Sequence, residues 1–415
     1  DIGAYERPNP PGCTYPNLVA GDEAALRQAI ACVNVAGPGD YTIALTADIS
    51  YSQPMLPLRN PVVSTVLIDG QGHTLDAQGN GRVLTLTTIP NLTLRNLTLT
   101  GGKLSAADTS SDGGGIAFDC DRDVLCNWTL FNTVVRENEA DSGGGIHYSC
   151  DAGGGGALVV QNSVIRDNRA TSVGGGLVYS TDEDSLACSV TLRNTLVEGN
   201  QAVEGGGLRI FRPRVTISDS TIRNNIATQS GGGLMARISD GYIDMTVLRS
   251  TFSGNRAGVS GGGVYIASPD QWFDIKFINS TFSGNTVDNG SGGGLYLQET
   301  EGSLRIALIN STVTQNAAGQ GAGVQVFDRA EASASYTGTL RLTNSIIADN
   351  LGSDCGGAAD PGIVFTGQRV LSLGHNLDSD GSCLPAEVRQ PSDIPNGNAN
   401  LGPLADNGGP ALTHA

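Results

Sequence analysis

The chain has 415 residues, 58 of them glycine, with only 5% aromatics and a formal net charge of −17. Glycine gathered in triplets, and not spaced at every third position, excludes a collagen helix. The acidic balance argues against a nucleic-acid partner, because it repels phosphate backbones, and no apolar run of about 18 residues occurs that would predict a transmembrane segment.

Residues 1–21, opening DIGAYERPNP, read as the interior of a longer chain. Residues 22–34, DEAALRQAIACVN, predict a short amphipathic helix with Asp22 as N-cap and Leu26, Ala29, Ile30 and Val33 near one face. Such a helix suits the end of a solenoid, whose terminal coil otherwise exposes apolar side chains. The segments YTIALTADI, STVLIDGQGHTLDA and RVLTLTTIPNLTLRNLTLTGG complete a region of opening coils to residue 112.

From 113 to 350 two motifs interleave at one period. Glycine triplets begin at Gly113, Gly143, Gly174, Gly205, Gly231, Gly261 and Gly292, with GAG at Gly321. A second motif ends at Asn138, Asn168, Asn200, Asn225, Asn255, Asn285, Asn316 and Asn350, as in NSVIRDN and NSTFSGN. After each triplet apolar residues alternate, from Ile116/Phe118 and Ile146/Tyr148 to Leu295/Leu297 and Val324/Val326, which is the period of a strand with one buried face. A second strand precedes each Asn motif (Trp128/Leu130, Val190/Leu192, Ile275/Phe277), and a third spans it (Val135, Ile165, Phe252, Ile347).

Three short strands in about 30 residues predict one coil of a right-handed parallel β-helix, since a coil buries its apolar edge only by stacking. About nine coils are expected. The glycine and asparagine columns are read as turn architecture. Residues 351–415 lose the triplet and read as an irregular C-terminal cap.

The fold also hosts polysaccharide lyases and hydrolases, whose chemistry needs converging carboxylates. Glu137 and Asp167 stack on neighbouring coils beside Arg136 and Arg166, and are the candidates for catalysis, against the plainer reading of surface ion pairs. Asp119, Asp121 and Asp123, and Asp378 with Asp380, are incomplete candidates for structural calcium. His73, His147, His375 and His414 form no triad, and His147 reads as a surface residue. Tyr265 and Tyr296 share an outward column with Val178 and Met235, and their stack would suit a sugar ring or a neighbouring protein.

Several stretches resemble known surface proteins. DEAALRQAIACVNVAGPGDYTIAL resembles the "CSLREAI" module of bacterial surface proteins, with Ala-Ala in place of the usual Cys-Ser or Cys-Thr and Gln28 in place of Glu. NSIIADN with the following SDC, GHNLDSDGSC and LGPLADNGGPALTHA resembles a choice-of-anchor Q region, and DIGAYE at Asp1–Glu6 resembles the end of such a region. The GGG-I/L/V and FSGN pairs resemble the repeats of polymorphic outer-membrane proteins. The resemblance implies an extracellular or cell-surface β-helix within a very long protein, and brings no catalytic residue. A tail-like start before the helix cap suggests one unit of a tandem array.

Of the eight cysteines, Cys355 and Cys383 match cysteines of the anchor family. Cys13 and Cys32 bracket the helix, Cys120 and Cys126 share a loop, and Cys150 and Cys188 fall on outward loops of adjacent coils. A Cys120–Cys150 pairing is an open alternative. Disulfides imply an oxidising compartment. Zinc is disfavoured, since no C-x-x-C or histidine set is present.

Together these readings predict a non-enzymatic extracellular structural or adhesive protein without an obligatory cofactor. Its expected partners are copies of itself or tandem units, glycans, or a host or neighbouring cell surface. A polysaccharide-active β-helix enzyme and a glycan- or protein-binding module are the alternatives.

Overall fold

The computed structural model describes residues 12–104, 111–120, 124–150, 155–181, 188–211, 214–237, 243–268, 273–299, 304–328, 340–358 and 370–415. The predicted helix forms at Glu23–Val35, and the Asp22 carboxylate accepts the Ala25 N–H at 2.8 Å. Its buried face is Leu26, Ala29, Ile30, Cys32 and Val33, which joins the same apolar core as the strands.

The rest is a right-handed parallel β-helix of about nine coils. Among the described residues the strands pair in parallel from one coil to the next, as Ile146 pairs with Ile116 below and Leu177 above. The file continues through Leu208, Leu234, Val264, Leu295 and Val324, all fully buried or within 1% of it. The eight strands after the triplets, with Leu58–Arg59, Leu84–Thr87 and Cys355–Ala358, make an eleven-stranded sheet. At about 4.8 Å per step this gives a rod near 50 Å long.

The two strands around each Asn motif share one 24-stranded sheet. They meet at a left-handed corner, for example between Gly156–Gln161 and Val164–Arg166, where Asn162 has φ 52°. Asn tolerates this conformation best among residues with a Cβ. A fourth short strand, which the three-strand reading did not contain, follows each Asn in the middle coils and forms a six-stranded sheet, as at Arg169–Val173.

Packing explains why triplet and asparagine recur together. The first glycine of each triplet has a positive φ, +72° at Gly231, and the third sits against the asparagine amide. A Cβ on Gly233 would lie 2.6 Å from the Gly263 carbonyl oxygen and 3.0 Å from Asn255 Nδ2. Any side chain there would displace both the coil above and the amide.

The disulfides are Cys13–Cys32, Cys120–Cys126, Cys150–Cys188 and Cys355–Cys383; the Cys120–Cys150 alternative does not form. The placement of two pairs on loops is corrected. Cys120 and Cys150 end strands on the inward parity set by Ile116/Phe118 and Ile146/Tyr148, Cys126 and Cys188 begin strands, and all four lie in the core. A half-cystine is apolar enough to continue the column. Opposite Cys126 and Cys188 the intervening coil carries Gly156, whose Cβ would lie 2.1 Å from the Cys126 carbonyl oxygen.

Candidate functional site

Glu137 and Asp167 occupy a second left-handed corner, each with φ 55°. Other coils place Gly199, Asn224, Gly254 and Gly284 there, residues that favour this backbone. Both carboxylates are exposed and each is held by the arginine before it: Arg136 Nη1 to Glu137 at 2.9 Å, Arg166 Nη1 to Asp167 at 3.1 Å. Exposed pairs of this kind contribute about 0–1 kcal/mol.

One residue inward, the asparagines form a continuous buried ladder. Asn225 Nδ2 donates to Asn255 Oδ1 at 3.0 Å and to the Val197 carbonyl at 3.0 Å, while the Asn225 backbone N–H donates to the same Asn255 Oδ1. The pattern repeats from Asn138 through Asn168, Asn200, Asn255, Asn285 and Asn316 to Asn350. Both amide hydrogens and both oxygen lone pairs are used, so the buried polar groups stay satisfied. All the amides point one way, donor toward the C-terminal coil.

The ladder ends on a carboxylate. Asn350 Nδ2 donates to Asp354 Oδ1 at 2.8 Å, and Asp354 Oδ2 accepts the Ser379 N–H at 2.9 Å. A parallel column of Ser and Thr hydroxyls, Ser220, Ser250, Ser280, Ser311 and Ser345, runs to Asn376 and then to Asp393 Oδ1. A final acceptor needs no onward hydrogen, which an acid supplies and an amide does not.

Asp354 also belongs to the calcium candidate in the cap: oxygens of Asp354, Asp378 and Asp380 lie within 4.8 Å of one another. These oxygens already accept protein donors, Asp378 Oδ2 from the Cys383 and Leu384 N–H groups and Asp380 Oδ1 from Ser382. Burial pushes the Asp378 carboxyl up to about 7, against those two N–H groups and with Asp380 beside it. The cluster as it stands is a clasp between the last coils. Asp119 is exposed on the strand Ile116–Cys120, and Asp121 and Asp123 lie outside the described residues.

On the eleven-stranded sheet, Tyr265 and Tyr296 stack at 5.2 Å with 3° between planes, and Phe327 extends the stack at 6.5 Å. Tyr265 donates its hydroxyl to Gln298 at 2.6 Å. Elsewhere in this outward column Val178, Arg209, Met235 and Gln325 are covered, at 1–2% exposed. Arg209 lies 3.9 Å over the Phe211 ring and 3.7 Å from Glu204, and burial lowers its pKa to about 10. His147 is corrected from a surface residue to a largely covered one, 3.3 Å from Ser142 Oγ, with burial lowering its pKa. The cause is its position in the concave corner beside Gly143, whose Cβ would lie 3.0 Å from His147 Cβ.

The C-terminal segment holds the largest departure from expectation. Only part of it caps the end, where Leu377–Asp378 and Ile394–Pro395 add to the stack. Residues 402–415 turn back along the side of the rod as an antiparallel loop, closed by Ala405–Thr413 and Gly402–Ala415 backbone bonds. Thr251 Oγ1 donates to the Leu412 carbonyl at 2.6 Å, and His414 Nε2 sits 2.9 Å from Ser283 Oγ. The outward pairs in these coils are small and hydroxylic, Thr251/Ser253 and Thr281/Ser283, and are 0–7% exposed. Equivalent pairs below are bulkier and half-buried, Val164/Arg166 and Leu196/Glu198. Beyond the loop tip a cleft of about 400 Å³ continues between Val164, Leu196 and Thr221 and the loop's Pro410 and Leu412.

A profile described as a right handed beta helix region matches residues 155–377, more than half of the chain. The chain belongs to the right-handed β-helix family. Among solved structures it is similar to the A-module of the Azotobacter vinelandii mannuronan C-5 epimerase AlgE4, with 16% identity, TM-score 0.46, and coverage of 86% of this chain and 97% of that one. The AlgE6 A-module from the same organism shows 15% identity, TM-score 0.38, and coverage of 87% and 96%. No curated protein sequence matches. Among the described residues, no helix is long and apolar enough to cross a membrane.

Proposed function

We propose that this β-helix is an extracellular structural or adhesive rod, one unit of a longer surface fibre or array. The observation that carries the reading is the unbroken asparagine ladder from Asn138 to Asp354, which ties every regular coil to the next through fully used amides. An internal polar column of this kind fixes coil register and opposes bending or slippage, which suits a spacer under load. Four disulfides fit an oxidising, extracellular location. The resemblances to the CSLREAI module, the anchor Q region and the outer-membrane repeats support the same surface setting.

Electron microscopy of the native cell surface, with an antibody to this chain, tests it. The expected result is label along extended filaments or a layer. Label on dispersed single molecules, with turnover of uronate-containing polysaccharides by the purified protein, would overturn the reading in favour of an enzyme.

A second reading rests on the Tyr265–Tyr296 stack: a half-buried aromatic pair on the sheet is a surface of the kind that packs against a sugar. It predicts glycan binding that is lost in Tyr265→Ala/Tyr296→Ala. Equal binding by that variant and the parent would remove it.

A further inference from the structure

We propose that Arg209 is the base of an oxyanion-binding site on the outward face of the eleven-stranded sheet, which takes a sulfate, phosphate or carboxylate group. The site stands apart from the array reading; where the anion is borne on a glycan, it rests on the second reading.

Arg209 is an exception within its column. It lies between Leu208 and Ile210, which face the core, and its register partners below and above are the neutral Val178 and Met235. Burial of a cation is costly unless its N–H groups are hydrogen-bonded and its charge is paired. Arg209 is 2% exposed, yet its Nε and Nη1 have no hydrogen-bond partner among the described residues. Its Nη2 stands 3.7 Å from Glu204 Oε2, beyond hydrogen-bond reach.

The neighbouring groups do not complete it. The Phe211 ring, 3.9 Å from Arg209 Cζ, steadies the charge but is no substitute for an oxygen acceptor at the N–H edges. Glu204 is one carboxylate against two arginines. Arg237, exposed and two residues beyond Met235, adds a positive charge that acts on Arg209 in the same sense as its burial. Together the three side chains carry one positive charge in excess, on a chain whose net charge is −17. Unused donors in a planar fork beside an unmatched charge call for an anion with two oxygens to offer. Water satisfies the donors and leaves the charge.

The coil also leaves room at its edge. Three residues separate Leu208–Ile210 from Arg214–Ser218, where the coils below and above have six and five. This coil therefore brings less chain than either neighbour to the edge beside Phe211 and the exposed Arg237. Tyr265 stands two coils above Arg209 in the same column, about 10 Å along the rod. A glycan-borne anion on Arg209 would join the two positions.

Calorimetric titration of the whole chain with sodium sulfate, at ionic strength held constant with sodium chloride, tests the site. The parent should take up one sulfate saturably. Arg209→Met keeps the apolar stem, removes the donors and should abolish uptake. Arg209→Lys keeps the charge, loses the fork and should bind more weakly than the parent, as should Arg237→Gln. Arg256→Met removes a surface arginine already paired with Asp288 and should bind as the parent does. Absence of saturable uptake of sulfate, phosphate and acetate alike by the parent would overturn the proposal, and so would parent-like affinity in Arg209→Met.

A sulfated or carboxylated oligosaccharide, compared with its neutral counterpart, separates the two sources. Binding tighter than that of free sulfate, and lost in Arg209→Met, identifies a glycan-borne anion; binding no tighter identifies the free ion. If Tyr265→Ala/Tyr296→Ala leaves glycan affinity unchanged while Arg209→Met abolishes sulfate uptake, the second reading fails and the anion site stands. Sulfate uptake indifferent to Arg209, with glycan affinity lost in the tyrosine variant, does the reverse.

Discussion

Asn350 donates its side-chain N–H to the Asp354 carboxylate across 2.8 Å, and Asp354 in turn accepts from Ser379 in the next winding. The interior amide column thus ends in the one side chain type that accepts without having to donate further. Ladder, last coil and cap are one hydrogen-bonded system.

Breaking that column in its middle should be costly. Asn255→Ala leaves the Asn225 backbone and side-chain N–H groups, the Ile222 carbonyl and Asn285 Oδ1 short of partners in the interior. At about 1–3 kcal/mol for each buried group left unpaired, urea denaturation should show a loss of at least about 2 kcal/mol. The exposed corner residue Asn194, whose amide donates to Asn162, provides the contrast: at φ 47° Asn194→Ala should cost only the left-handed backbone preference, about 1 kcal/mol.

A triplet glycine and a corner glycine should differ. Gly233→Ala forces a Cβ into the Gly263 carbonyl and the Asn255 amide, and should cost about 1–3 kcal/mol as overpacking. Gly284→Ala meets nothing within 4 Å and bears only the left-handed backbone cost, about 1 kcal/mol. Thermal denaturation of the two variants in parallel would separate them.

The corner also predicts the fate of the acidic pair. Glu137 and Asp167 stand at φ 55°, where neighbouring coils use glycine. Glu137→Gly should therefore be neutral or stabilising by up to about 1 kcal/mol, because relief of the backbone outweighs an exposed ion pair. A marked destabilisation in urea would show that the carboxylate does more than decorate the corner.

Protonation of Asp378 should strengthen the cap clasp. The folded pKa of Asp378 is raised to about 7 by burial, above the unfolded value near 4. Between these values the folded chain keeps a proton that the unfolded chain has lost. Stability from this group is full below about pH 4 and is lost as pH rises through 7. Asp378→Asn mimics the protonated form, so it should match the parent below pH 4 and exceed it above pH 7. Melting curves across that range check the sign.

The coil period, the inward files and the helix cap were legible because each is a local repeat made visible by stacking: Ile116, Ile146 and Leu177 look alike since they occupy one environment. The eight cysteines were legible as disulfide candidates, but sequence left their connectivity open between Cys120–Cys126 and Cys120–Cys150, and burial of Cys120 was hidden although it continues the parity of Ile116 and Phe118. Asp354 was missed, being a single aspartate just beyond the last regular coil, with nothing in its own sequence to mark it as the heir of the Asn column. The docking of residues 402–415 was hidden for a different reason: it is a contact between Leu412 and Thr251, 161 positions apart. The hydroxylic outward pairs Thr251/Ser253 and Thr281/Ser283 do not mark it either, because Thr98/Thr100 occupy the same positions several coils earlier.

Hydrogen exchange tests the in-register ladder most directly. The backbone N–H groups of Asn168, Asn200, Asn225, Asn255 and Asn285 each donate to the next asparagine's Oδ1. They should exchange together in the slowest class of the molecule, and Asn255→Ala should accelerate its neighbours Asn225 and Asn285 first. Rapid, mutually independent exchange at these five amides would contradict a continuous column and the stacked rod built on it.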